Sequence, residues 1–507
     1  MPSTLTALLV LCVTGLGFGY YVVIAQKRKS SRVEEFFVAG RNIGYALFTQ
    51  TTWGSSFAFG NSIFYAVWLG YSIGLSALWI QGLWAIGMIC YALLLPRLIV
   101  FTEHHTLHGF LGSIYGRWCR IVASLVSVIG LLILLGFEES FVAQYFAQVT
   151  NLQNVEWLVV LAFATFVATF CSIGGFKANT VTDRLSNLIA CVALLGMVVL
   201  MISKNGTQLA TGFSAAALWN SATDFSSQSA IYLTGLGFFA LFNIVDMTNW
   251  QSVSANSLNV DPGDAGREQR RQMRWAMLKA TGYFLLAPVL VGTLLGYMLR
   301  ILKQGTDDQA LFMSQLVHGL LPTNPVFAAA ILAIVTFAFM ASSLAGTDSW
   351  LLASTQTLSW DLIDFKKFEA AGFRASKLSD SSHEEITRHG RLILMIVGIG
   401  GACIIYYISK YVWKEVFALQ FVIFGGGLAM LPSLLFGIFK GNPSKSRIIS
   451  ASAVVSIAAG YGSALCLFIY SLVKQNPDLV SPLPMVALGI ASVIFLGGLV
   501  FDKSLSK

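Results

Sequence analysis

The chain has 507 residues, of which 56% are hydrophobic and only 11% charged, and its mean hydropathy is +0.71; a soluble domain carries about 25% charged residues. That composition excludes a soluble globular protein and describes one that crosses a lipid bilayer many times. The net charge of +8 does not point to nucleic acid, because the basic residues lie in short segments between apolar runs, where they orient a membrane protein.

Thirteen apolar runs reach spanning length: 5–25, 43–71, 74–100, 121–149, 155–173, 185–203, 231–253, 276–300, 326–360, 391–409, 413–439, 447–473 and 484–501. The first is followed by Lys27-Arg28-Lys29, with no basic region before it and no small-residue cleavage site, so it is expected to be a retained span. The second has an unusual middle, Thr49-Gln50-Thr51-Thr52-Trp53-Gly54-Ser55-Ser56, with Gly60 and Asn61 just after. Inside a bilayer every backbone N–H and C=O must find a partner, so such a stretch is tolerated where it lines an enclosed cavity or ion site. It predicts a helix broken at a binding site. The alternative is a small-residue face for helix packing.

Later runs carry further polar residues. Gln81 in the third and Gln420 in the eleventh are neutral groups suited to orienting a small polar solute. Glu138 and Glu139, midway through the fourth, are intramembrane carboxylates and therefore functional candidates. They point about 100° apart on a helix, so one is expected to serve a cation or proton while the other pairs structurally or is protonated; the alternative is that both sit in a structural hydrogen-bond network. Gly174-Gly175 breaks the chain between the fifth and sixth runs, and Asp183 beyond it is read as a cap for the next helix. Asn243 and Asp246 fall near the inner end of the seventh run, with Asp246 a gate or a tether to the basic loop that follows. The ninth contains Ser342, Ser343, Ala345, Gly346 and Thr347, where hydroxyls and free carbonyls would suit a small alkali cation.

Other chemistries are not indicated. The seven cysteines show no CxxC or Cys/His spacing, and His104, His105 and His108 lack the glutamate of an HExxH zinc site. Without a Walker A motif, a GxSxG elbow or a Rossmann fingerprint, neither ATP-driven transport nor an enzyme is expected. Lys and Arg concentrate on one side of the apolar runs, which puts the N-terminus outside and the C-terminus inside. The fold expected is a single all-α polytopic domain over 1–507, with an extra span at 5–25, five-helix halves at 43–203 and 231–439 in inverted orientation, and two more spans within 447–501.

Taken together, these segments resemble the sodium/solute symporter family, which includes sodium-coupled proline, sialic acid, pantothenate and glucose transporters. Glu35-Phe36-Phe37-Val38-Ala39-Gly40-Arg41 is similar to the family's pattern before its first core helix, and Thr52-Trp53 with Gly60 and Gly70 is similar to that helix. Gly174-Gly175 with Thr182-Asp183, Asp246 with Trp250-Gln251, Thr347-Asp348-Ser349 with Asp361, and Leu431-Pro432 through Gly437-Ile438-Phe439 follow in the family's order. The resemblance implies alternating access by an inverted repeat of broken helices, with the solute between them. It also implies a sodium ion between backbone carbonyls near Thr51 and Gly54 and adjacent hydroxyls of the ninth span, with Asp183 at a further cation position.

Aligned without gaps, Ala345 and Gly346 stand where the family has its two sodium-binding hydroxyls; a three-residue shift brings Ser342 and Ser343 there instead. Ser252 and Ser186 stand where the family has an arginine and a glutamine. The expectation is therefore a symporter of a small polar solute, working as a monomer in the lipid bilayer of the cell (inner) membrane. Sodium is the expected coupling ion, with a proton the alternative through Glu138 and Glu139, and Trp53, Ser55, Ser56, Gln81, Glu138, Asn243, Asp246 and Gln420 are expected around the solute. A proton-coupled or uncoupled transporter of the same fold and a solute sensor built like a transporter are the competing readings.

Overall fold

A computed structural model describes residues 4–223, 240–256, 264–306, 309–371, 377–412, 425–440, 446–474, 476–480 and 482–502. Everything regular among them is helical, as long apolar runs in a bilayer require. Among the described residues, nine helical stretches are long and apolar enough to cross a membrane, and some exceed one crossing: Phe59–Thr102 has 44 residues and Gln153–Ala210 has 58, where one pass takes about 20. The protein is an all-helical, multi-pass membrane protein.

The first described helices are α1 (Thr4–Lys27) and a short helix, Val33–Val38, after which the chain enters α2 (Gly44–Ser55). Regular helix stops there. Ala58 is extended at φ −70°, ψ 150°, and the chain resumes as a π-helical turn, Phe59–Phe64, that runs into α3 (Tyr65–Ile73). α4 (Ala77–Leu98) and α5 (Arg117–Thr150) follow, and then α6 (Glu156–Gly212), which Gly175 interrupts at φ +58°, ψ −161°. That left-handed φ suits glycine, and a side chain here would run into Phe36.

A second interrupted helix consists of α7 (Phe242–Val245) and α8 (Met247–Ser254), separated by the extended Asp246 at φ −73°, ψ 120°. Next come α9 (Asp264–Phe284), a π-helical stretch containing Pro288, and α10 (Thr293–Leu302). Then α11 (Pro325–Thr357) and α12 (Asp380–Tyr407) pack with α5 and α6. These four helices form a scaffold beside the two broken ones. α1 lies against α6 and α11, where Tyr21 meets Ser186 through their hydroxyls at 3.0 Å and Phe18 stacks on Phe166. α13 (Leu431–Lys440) precedes the mutually packed pair α14 (Arg447–Lys474) and α15 (Leu483–Phe501).

Polar contacts tie together the end of the bundle where α2 begins and α8 ends. Ile43 N donates to Ala255 O, Arg41 Nε to Ser254 O and Gln251 Nε2 to Phe37 O. Nearby, Thr106 Oγ1 caps the helix that starts at Leu107 and also donates to Asp361 Oδ1 at 2.9 Å. The histidines in this region form no metal cluster, and no group of three potential ligands occurs among the described residues. His105 is buried, and burial together with the Arg41 charge holds its imidazole well below the usual range, so the ring is neutral.

Candidate functional site

A cavity of about 80 Å³ lies where the two broken helices approach each other. Its polar wall is Ser55 and Ser56 at the end of α2, Asn61 and Ser62 in the π-turn, Gln81 from α4, and Asp246 at the second break. Tyr65, Trp84, Phe242, Phe284 and Trp350 supply an aromatic wall, closed by Ile80 and Leu134. No lysine, arginine or histidine lines it among the described residues.

The two breaks place these groups. At the first, Ser55 Oγ folds back onto Thr52 O, and Phe57 N onto Gly54 O. Beyond the break, Gly60 and Asn61 lie in the first turn of a new helical segment, where amides commonly take partners from outside the helix. Glu138 from α5 meets them: Gly60 N donates to Oε1 at 2.7 Å, and Asn61 N and Nδ2 both donate to Oε2 at 2.9 Å. Ser343 Oγ from α11 donates to the same carboxylate at 2.5 Å. Ser342, the next residue back, donates its hydroxyl to Phe57 O. Gly346, one turn on, has no room for a side chain, because a Cβ would lie 2.7 Å from the Ala58 methyl.

At the second break the cap is local. Asp246 Oδ1 accepts from Thr248 N at 2.9 Å and Oδ2 from Thr248 Oγ1 at 2.7 Å, which makes it the N-cap of α8. A carboxylate has about four acceptor sites, so this leaves lone pairs for the cavity it faces.

Of the residues expected around the solute, Ser55, Ser56, Gln81 and Asp246 line the cavity. Asp246 is not a tether at the helix end: it sits at an interruption that its own side chain caps. Glu138 is fully buried and engaged with the first break. Trp53 stacks on Phe57 with ring centres 5.1 Å apart. Asn243 donates to Ala240 O and accepts from Asn249, outside the lining. Gln420 lies outside the described residues.

The cation candidates fall in two places. Ser342 and Ser343 reach the first break and Glu138, and Gly346 abuts that break, while Ala345 O accepts from Ser349 Oγ. Gly54 faces Asp183 across α2 and α6, and Thr51 Oγ1 donates to Asp183 Oδ2 at 2.8 Å. Asp183 is no helix cap, because it lies inside α6 two turns beyond Gly175 and is fully buried. Among the described residues its Oδ1 has no hydrogen-bond partner, and neither has either carboxylate oxygen of buried Glu139.

The aromatic wall was not apparent in the sequence beforehand. Helical spacing carries a trace of it, since Asn61 and Tyr65, Gln81 and Trp84, and Phe242 and Asp246 are three or four residues apart and share faces. Only the structure shows that these three faces converge.

No protein-family model matches this sequence, and no curated protein matches it. Solved structures do. The substrate-bound, outward-open state of a sodium-coupled sialic acid symporter aligns over 97% of this chain and 98% of its own, with a TM-score of 0.75 at 11% identity. Mhp1, a nucleobase–cation symport-1 family transporter in a closed conformation with bromovinylhydantoin bound, aligns over 94% and 95%, with a TM-score of 0.54 at 11% identity. The Eremococcus coleocola manganese transporter, in complex with an aromatic bis-isothiourea substituted compound, aligns over 90% and 94%, with a TM-score of 0.53 at 14% identity. At such identities the likeness is one of fold, and it runs nearly end to end. This chain has the fold seen in the sodium-coupled sialic acid symporter.

Proposed function

We propose that the protein is a divergent sodium/solute symporter that carries a small polar solute across the cell membrane by alternating access. The observation that carries this reading is the pair of interrupted helices meeting at a cavity lined by hydroxyls, amides and one carboxylate. Irregular backbone at that depth is stable only where protein or a bound solute satisfies it. Thirteen spans, an inverted repeat over 43–203 and 231–439, an outer N-terminus and a monomeric working unit belong to the same reading. The two breaks and the doubled length of several helices support it.

Sodium is the coupling ion in this reading, with the proton as the alternative. A buried carboxylate oxygen without a partner is costly unless a cation or a proton joins it, and Asp183 Oδ1 is such an atom beside Gly54 and Thr51. The oxygen ligands near the first break, including the Ser342 hydroxyl and the Phe57 carbonyl, are of the hard type that suits sodium, although here they bond each other.

The test is thermal stability of the purified protein with sodium titrated against potassium at constant ionic strength. A ligand that binds only the folded state adds about 2.7 kcal/mol at one hundred times its Kd. Saturable, sodium-specific stabilisation is expected, and Asp183→Asn should abolish it. Indifference to sodium, together with a pH-dependent stability step that Asp183→Asn removes, would replace sodium with the proton.

A further inference from the structure

We propose that the cavity selects a small cationic solute, an amine or quaternary ammonium on a compact apolar body. This deepens the transport reading and rests on it. In a helix interrupted inside a membrane, the N-terminal amides of the resumed segment form a natural seat for an anion. In this chain that seat is filled from within. The amides of Gly60 and Asn61, with the Asn61 side chain, are all taken by Glu138, which also holds the Ser343 hydroxyl. A solute carboxylate would have to displace a buried internal carboxylate to reach them.

What remains facing the cavity points to the opposite charge. Asp246 is the only charged side chain in the described lining, and its two bonds to Thr248 leave acceptor sites free. The rings of Trp84, Trp350 and Tyr65 line the same cavity, and aromatic faces attract a cation where water is excluded. Along the sequence, 231–239 and 416–424 hold no charged residue. An anionic solute would meet repulsion from Asp246 and no cationic side chain in the described lining, whereas a cation would meet a carboxylate and aromatic faces.

The test measures thermal stability of the full-length protein with probes that share one apolar body: isoamylammonium, isoamyl alcohol and isovalerate. A graded series from tetramethylammonium to benzyltrimethylammonium covers size. Cationic probes are expected to stabilise saturably, at least tenfold more tightly than the alcohol, and isovalerate not at all. Asp246→Asn should weaken the cationic response tenfold or more. Asparagine still caps a helix, so the variant removes the charge while keeping the turn. Trp84→Leu, away from the cap, should weaken the same response and serves if Asp246→Asn does not fold.

Stabilisation by isovalerate equal to that by isoamylammonium, or no saturable response to any cation in the series, would overturn the proposal. So would a cationic response unchanged in both variants. A cation that stabilises the protein but is never taken up by proteoliposomes upholds the binding preference and removes the transport reading. Uptake of a neutral or acidic solute with no cation binding does the reverse.

Discussion

At the first break the amides of Gly60 and Asn61 are met by Glu138, which arrives from another helix; at the second, the amide of Thr248 is met by Asp246, two residues before it. Both are carboxylates at the start of a helical segment, the favourable end of the helix dipole. Their surroundings differ. Glu138 is fully buried and joins the π-turn to α5 and α11, whereas Asp246 caps its own helix and faces the cavity. One charge is used up in holding the architecture, and the other is left for a ligand. Substitutions at the first break should therefore register chiefly in stability, and those at the second chiefly in binding.

The largest effect is expected at Glu138. Glu138→Ala would leave two backbone amides, the Asn61 amide group and the Ser343 hydroxyl without their shared acceptor. An unsatisfied buried donor costs about 1–3 kcal/mol, so a total of roughly 3 kcal/mol or more is expected even after some donors find other partners. The measurement is the unfolding midpoint in detergent. Glu138→Gln keeps one acceptor and should lose about half as much. A Glu138→Ala protein as stable as the parent would end the contrast between the two breaks.

Next is Gly60, where an added Cβ would sit 2.9 Å from Glu138 Oε2 and 3.2 Å from the Phe141 ring. Gly60→Ala forces one of them aside and should cost about 1–3 kcal/mol, the range for overpacking a tight interior. In the double variant with Glu138→Gln the two losses should not add, because both act on one contact. Additive losses would mean that the Gly60 effect comes from Phe141 alone.

Ser343→Ala follows. It removes one hydroxyl from a charged acceptor that keeps three other donors, and should cost about 1.5 kcal/mol. Ser342→Ala removes a single bond to Phe57 O and should cost about 1 kcal/mol. If Ser343→Ala costs less than Ser342→Ala, Glu138 is held by the π-turn alone and does not link it to α11.

The first break was legible in the sequence because polarity in an apolar run is visible without neighbours: Thr49 through Ser56, with Gly60 and Asn61, could not face lipid. Gly174-Gly175 was legible for the same kind of local reason, as a backbone turn that glycine permits. Partnerships across the bundle were not. Nothing in the order of residues says that Glu138, and not Glu139, faces Gly60 while Glu139 is buried without a hydrogen bond. Asp183 illustrates the limit, because its position after a glycine pair suggested a cap, but the helix restarts at once and buries it against Thr51. The aromatic wall escaped notice because aromatic residues in an apolar run look alike whether they face lipid, core or cavity.

The smallest expected change in stability is at Asp246, where the predicted change in binding is greatest. Asp246→Ala removes an N-cap and should cost about 1 kcal/mol, and Asp246→Asn only a few tenths, because asparagine is as good a cap as aspartate. In the alanine variant the backbone amide and the hydroxyl of Thr248 lose their shared acceptor. The two variants should therefore differ modestly in unfolding midpoint and hardly at all in their loss of ammonium binding. A large destabilisation of Asp246→Asn would show that the charge itself is structural, as at the first break. The two breaks would then be equivalent, and the cavity would hold no charge in reserve for a solute.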